Sequence, residues 1–111
     1  MSVQSSKEGN ITVVKVGAEK LDSIIAPDVK TEFVMLEKAG SKNIIVDLED
    51  AKYCDSSGLS ALLVGNRLFK NEGKLVICGL QPNVKKLIEI SQLHTVLHIA
   101  DDVEGAKSMF N

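Results

Sequence analysis

The chain has 111 residues, the usual size of one domain, and its 44% hydrophobic and 25% charged residues are typical of a globular protein. A net charge of −2, with no long run of one sign, argues against a nucleic-acid binder and against a basic membrane anchor. The apolar runs are far shorter than the ~20 residues that cross a bilayer, and residues 1–10 contain no apolar leader. We therefore expect one domain over residues 1–111, located in the cytoplasm, that neither binds nucleic acid nor enters a membrane.

The chain contains two cysteines, Cys54 and Cys78, which do not form a C-x-x-C pair. A small domain held together by disulfides normally carries more cysteines than this. Free cysteine is among the most buried residue types. We expect two reduced thiols in the core.

The first predicted elements are two strands. Ile11–Val16 is rich in β-branched residues and predicts a strand, and a shorter strand within residues 3–7 precedes it. The segment between them predicts a hairpin turn in which Gly9 and Asn10 adopt positive φ angles.

A helix and a buried strand are predicted next. Pro27 suits the first turn of a helix, Val29 and Phe33 then recur at helical spacing, and Gly40 is a typical C-terminal stop. Residues 43–48 form an apolar run of strand length, as in strands of α/β folds that are covered by helices.

The second half of the chain continues the alternation. After a brief apolar stretch at Tyr53–Cys54, it predicts a helix over residues 59–69, a strand at 74–79, a helix opened by Pro82, a strand at 95–99 and a last helix capped by Asp101 or Asp102. The fold class is α/β, with a single mixed, largely parallel β-sheet of four to five strands and about four helices.

The standard enzyme motifs are missing from the sequence. It has no G-x-x-x-x-G-K-[ST] or G-x-G-x-x-G loop and no G-x-S-x-G nucleophile elbow. His94 and His98, the only histidines, flank the predicted strand at 95–99, where positions four apart are separated by ~13 Å. A metal site there would need Asp101 and Asp102 as further ligands. We expect no catalytic residue, no cofactor and no metal.

The segment Asp55-Ser56-Ser57-Gly58 joins a strand end to a helix start. Asp55 or Ser56 can accept hydrogen bonds from the open backbone N–H groups of the first helical turn, and Gly58 permits a tight bend. Taken alone, the segment is best interpreted as a helix cap. Its predicted place at the C-terminal edge of a sheet and at a helix N-terminus also favours a binding or phosphorylation site.

The helix after this turn is unusually apolar. One of its faces belongs to the core. Ala61 and Val64, together with Gly65, are the positions left either for a partner or for cover by neighbouring elements.

Taken together, several segments resemble the STAS domain family, which includes the bacterial anti-sigma factor antagonists and domains of sulfate transporters. The central resemblance covers residues 44–48 and 53–63. Leu21-Asp22 ahead of Ala26-Pro27, and residues 74–84, match the family in the same order.

The resemblance implies a regulatory binding protein and not an enzyme. In the antagonist branch, a serine in this turn is phosphorylated by a partner that is both serine kinase and anti-sigma factor, and a phosphatase restores the free form. The motif places the phosphoacceptor at Ser56, with Ser57 as the alternative. The expected partner contacts are Asp55, Ser57, Gly58, Ala61 and Val64. Asp22 joins them if its loop touches the kinase, and otherwise caps that loop.

Two other functions compete with this interpretation. The chain is alternatively a STAS subunit of a transport or signalling assembly, in which the turn is structural and carries no phosphate. The intact Asp-Ser-Ser-Gly sequence favours the switch over this alternative. A small hydrolase or nucleotide-binding protein would need a base, a phosphate loop or a metal cluster that the sequence lacks.

Overall fold

The elements alternate as the sequence predicts. The computed structural model describes residues 2–110. Its elements are β1 (Val3–Glu8), β2 (Ile11–Val16), β3 (Lys20–Leu21), α1 (Ala26–Lys38), β4 (Asn43–Asp47), β5 (Tyr53–Cys54), α2 (Ser56–Phe69), β6 (Lys74–Cys78), α3 (Pro82–Ile90), β7 (His98–Ala100) and α4 (Val103–Lys107).

Five of the strands form one mixed sheet in the order β1-β2-β4-β6-β7. Only the β1–β2 pair is antiparallel, and the other three pairs are parallel. This confirms the predicted fold class. The sheet is not the only one: β3 and β5 pair in parallel as a separate sheet of two strands, with Leu21 opposite Cys54.

The apolar residues of the central strands alternate between two layers because successive side chains point to opposite faces of a sheet. One face packs under α1 and α2 and includes Val14, Val16, Ile44, Val46, Leu75 and Ile77. The other packs under α4 and includes Val13, Ile45, Val76 and Cys78. Between α1 and α2, Phe33 and Phe69 meet edge to face with ring centroids 6.3 Å apart, a geometry worth about 0.5–1.5 kcal/mol beyond the buried area.

Helix α1 begins and ends as predicted. Pro27 lies in its first turn, and Gly40 follows its end at φ +91°. The N–H of Gly40 bonds to the carbonyl of Glu37 and that of Ser41 to the carbonyl of Leu36, as in a Schellman motif. Asp102, one of the two predicted caps of the last helix, caps α4 by accepting the N–H of Gly105 at 2.7 Å.

Two local predictions are wrong. The strand expected at residues 95–99 begins only at His98, because a 3₁₀ turn at Leu93–Thr95 follows Gln92, which has a φ of 63°. In the β1–β2 hairpin, Gly9 has a positive φ but Asn10 does not.

The connection from β4 to β5, which leads to the 55–58 turn, is held on two sides. Lys15 on β2 lies 3.3 Å from a carboxylate oxygen of Asp47 and 3.1 Å from one of Glu49. The side-chain amide of Gln81, just before α3, donates to the carbonyl of Glu49 at 2.7 Å. These contacts fix the path of the chain into β5.

Candidate functional site

The 55–58 turn begins α2, and Asp55 is its cap. The backbone of Asp55 is extended, with φ −118° and ψ −171°, and its Oδ1 accepts the N–H of Gly58 at 3.1 Å. The backbone N–H of Asp55 also donates to the carbonyl of Leu21 at 3.3 Å. The turn is therefore fixed both to its own helix and to the small sheet, at whose carboxyl end it lies.

Both candidate phosphoacceptors lie in the first turn of α2. Ser56 is the first helical residue and is exposed, whereas Ser57 is half-buried. A group attached to Ser56 would reach solvent at the positive end of the helix dipole. Of the two hydroxyls, Ser56 is the more accessible to another protein.

Gly58 is buried and has a different role from the one predicted. Its φ is not positive, so no tight bend requires it. A Cβ at this position would lie 2.3 Å from the carbonyl oxygen of Leu21 and 2.7 Å from Sγ of Cys54. Glycine is needed here because α2 and β3 approach this closely. Gly58 therefore contacts Leu21 in the protein interior, and the expectation that it faces a partner is corrected.

The structure also shows which of the small apolar residues further along α2 are buried and which one is not. Ala61 is fully buried in the main core, and a Cβ on Gly65 would lie 2.6 Å from the ring of Phe33. Neither residue is available to a partner. Val64 alone remains half-buried on the outer side of the helix. The residue pattern could not separate these positions because all three are small and apolar.

Asp22 caps the loop ahead of α1, which we call the 22–25 loop. Its Oδ1 accepts the N–H of Ile24 at 3.0 Å and that of Ile25 at 3.3 Å, and its carbonyl accepts the N–H of Ala26 at 2.8 Å. Of the two roles expected for Asp22, the capping role is therefore present in the structure. The loop directly follows Leu21, whose carbonyl accepts the N–H of Asp55, so it lies beside the 55–58 turn.

Sequence reasoning did not single out Ile24. This side chain is 78% exposed, more than any other large apolar side chain in the described part of the chain. The sequence did contain a sign that Ile24 is exposed. This residue precedes Pro27 and lies outside the stripe of Val29 and Phe33 that marks the buried face of α1.

Both cysteines are free, as expected, but only Cys78 is fully buried. Burial raises the pKa of each thiol to about 12. The carboxylate of Asp55 adds to this shift at Cys54 and that of Asp47 at Cys78. Both thiols are therefore protonated at neutral pH.

The histidines are not brought together in a metal site. His94 lies in the 3₁₀ turn and His98 at the start of β7, and both are exposed. Within residues 2–110, no group of three or more histidine, cysteine, aspartate or glutamate side chains is arranged to hold a metal ion. Nor does this region contain a helix long and apolar enough to cross a membrane.

The protein is an α/β domain in which the exposed Ser56 begins α2. The 22–25 loop lies beside the start of this helix. The STAS domain model matches residues 2–106, and the chain belongs to this family. A curated relative, the anti-sigma-B factor antagonist of Staphylococcus aureus strain NCTC 8325, is 30% identical over 106 residues, which cover 94% of this chain and 96% of the relative.

Solved structures show the same fold at lower identity. An anti-sigma factor antagonist from Mycobacterium paratuberculosis has a TM-score of 0.88 at 16% identity, covering 97% of this chain and 92% of its own. The Bacillus cell fate determinant SpoIIAA in its phosphorylated form has a TM-score of 0.73 at 19% identity, covering 96% and 98%. A sulfate transporter family protein from Wolinella succinogenes has a TM-score of 0.78 at 14% identity, covering 94% and 87%.

Proposed function

We propose that this chain is an anti-sigma factor antagonist, a regulatory binding protein of the cytoplasm, switched off by phosphorylation of Ser56. The observation that carries the proposal is the exposed position of Ser56 at the start of α2 in a chain of the STAS family. The name of the S. aureus relative supports the antagonist class. The expected partners are an anti-sigma factor that is also a serine kinase, and a phosphatase that reverses the modification.

The charge around Ser56 supports a switch that acts at the interface. Phosphorylation adds about −1.5 to −2 charges and three acceptor oxygens. In the free protein the N-terminus of α2 offsets this charge, so the fold need not change. Against a partner that covers the turn, the phosphate beside the Asp55 carboxylate would be desolvated and repelled. An unpaired charge in an interface costs several kcal/mol, which corresponds to about a thousandfold in affinity.

Kinase labelling of two single-serine variants tests the proposal. The probe is each histidine-kinase-like serine kinase of the host, purified and supplied with ATP. We expect Ser57→Ala, the matched control, to be phosphorylated like the wild type, and Ser56→Ala to remain unmodified. Full phosphorylation of Ser56→Ala would refute the assignment.

A STAS subunit of a transport assembly is the second candidate, and the similarity to the W. succinogenes protein favours it. In that function Ser56 only begins α2 and is never modified. The host genome separates the two candidates, because a neighbouring gene for a histidine-kinase-like protein supports the antagonist and neighbouring transporter genes support the alternative.

A further inference from the structure

Ile24 is a large apolar side chain that lies in solvent on the 22–25 loop. It is 78% exposed, and exposing an isoleucine forgoes a favourable transfer free energy. Single exposed apolar residues are common on protein surfaces. What distinguishes Ile24 is that its own backbone N–H and that of Ile25 both bond to Oδ1 of Asp22, at 3.0 and 3.3 Å. Two hydrogen bonds thus hold the backbone of the loop that carries this side chain.

The 22–25 loop and the 55–58 turn are parts of one unit. Leu21 pairs with Cys54 in the small parallel sheet, and its carbonyl accepts the N–H of Asp55 at 3.3 Å. The same carbonyl oxygen occupies the space that a Cβ on Gly58 would need, so the start of α2 packs directly against Leu21. Ile24 follows this junction by three residues along one chain segment, and Ser56 follows it by two along the other. Ser56 and Ile24 are both exposed and both lie within three residues of this junction, so one partner can reach both.

We propose that Ile24 inserts into an apolar pocket of the anti-sigma factor, beside the site that receives Ser56, and that Asp22 is a positioning residue whose carboxylate holds the loop. This inference rests on the proposed function. We assign the same partner to Ile24 and to Ser56 because both belong to this one unit. The side chain of Ile24 has no polar group, so the part of the partner that receives it is apolar. Because the hydrogen bonds of Asp22 already hold the loop in the free chain, less conformational entropy is lost on binding.

The chain supplies a matched control for Ile24. Ile90, at the end of α3, is an isoleucine of similar exposure, 67%. Burial of an isoleucine at an interface corresponds to about a tenfold to hundredfold change in affinity. We expect Ile24→Ala to weaken binding of the unphosphorylated full chain to the kinase that modifies Ser56 by at least about tenfold, and Ile90→Ala to leave it within about twofold. The measurement is isothermal titration with the ADP-loaded kinase.

Two variants of Asp22 separate positioning from charge. Asparagine keeps an Oδ1 acceptor for the N–H groups of Ile24 and Ile25 but removes the charge, whereas alanine removes both. We expect Asp22→Asn to bind within about threefold of the wild type and Asp22→Ala to lose about tenfold or more. Thermal unfolding of each variant shows that it is folded at the titration temperature. Equal losses for Asn and Ala would overturn the positioning role.

The outcomes keep the two proposals apart. If the wild type binds and is phosphorylated on Ser56 but Ile24→Ala binds like Ile90→Ala, the apolar contact is refuted while the proposed function stands. If the wild type binds no such kinase, the proposed function fails and takes this inference with it.

Discussion

Gly58 and Leu21 meet through backbone atoms, and this contact joins the serine turn to the loop ahead of α1. The missing side chain at Gly58 lets α2 approach to where a Cβ would lie 2.3 Å from the carbonyl of Leu21. A carbonyl oxygen cannot rotate away as the end of a long side chain can. The geometry of the site therefore depends on a glycine that is itself buried.

Gly58→Ala tests this contact. Alanine favours a helix over glycine by about 1 kcal/mol, but forcing a methyl group against the backbone costs about 1–3 kcal/mol or more. We expect the clash to dominate and the free energy of unfolding to fall by about 1–2 kcal/mol in urea titrations.

Gly17→Ala is the control for this substitution. Its Cβ would lie 3.5 Å from the carbonyl oxygen of Ser2, an ordinary contact, and its φ is not positive. We expect this variant to stay within about 0.5 kcal/mol of the wild type. A Gly58→Ala protein as stable as the Gly17→Ala protein would show that α2 and β3 can separate at no cost.

At the scale of elements, α2 is where the sequence was both most and least informative. Its cap was predictable as Asp55 or Ser56, and Asp55 indeed accepts the N–H of Gly58. The helix itself begins at Ser56, ahead of the apolar pattern that starts at Leu59. Its faces were not predictable, because Ala61 and Val64 are both apolar and only contacts distant in sequence decide that the first is buried. Two of the positions on α2 that were expected to contact a partner, Gly58 and Ala61, are consequently buried.

The small sheet shows a second limit of sequence reasoning. The sequence indicated only a brief apolar stretch at Tyr53–Cys54, and the partner of this strand, Lys20–Leu21, is two residues long and has no periodicity to detect. Likewise, Thr95 and Val96 are β-branched and favour a strand, yet the left-handed backbone of Gln92 turns the chain into a 3₁₀ helix first. Longer apolar strands such as β4 and β6 were predicted because their residues carry the pattern themselves.

The cap of α2 can be tested by two substitutions of Asp55. Asp55→Ala removes the acceptor of the Gly58 N–H, and loss of such a cap lowers the free energy of unfolding by about 1 kcal/mol. Asp55→Asn keeps an equivalent acceptor, so we expect most of that stability to remain. Urea titrations measure both. An Asn variant as unstable as the Ala variant would show that the charge of Asp55 stabilises α2 and that its hydrogen bond does not.

For the whole molecule, the five-stranded sheet and its helices form a scaffold that does not have to move for the proposed switch to act. Both faces of the sheet are covered by packed apolar side chains. The loop that carries Asp22 and the start of α2, which carries Ser56, are linked through the backbone of Leu21. A phosphate on Ser56 would change the charge of one surface at the positive end of α2. We therefore attribute switching to binding and not to a change of fold.

Titration of one kinase partner with the two forms of the chain tests this claim most directly. The unphosphorylated protein and the protein phosphorylated on Ser56 are each titrated into the ADP-loaded anti-sigma factor kinase, after circular dichroism has shown that their folds are the same. We expect the phosphorylated form to bind with an affinity at least about tenfold weaker, which corresponds to a difference in binding free energy of about 1.4 kcal/mol. Equal affinities, or a phosphorylated form that has lost its native circular dichroism, would contradict it.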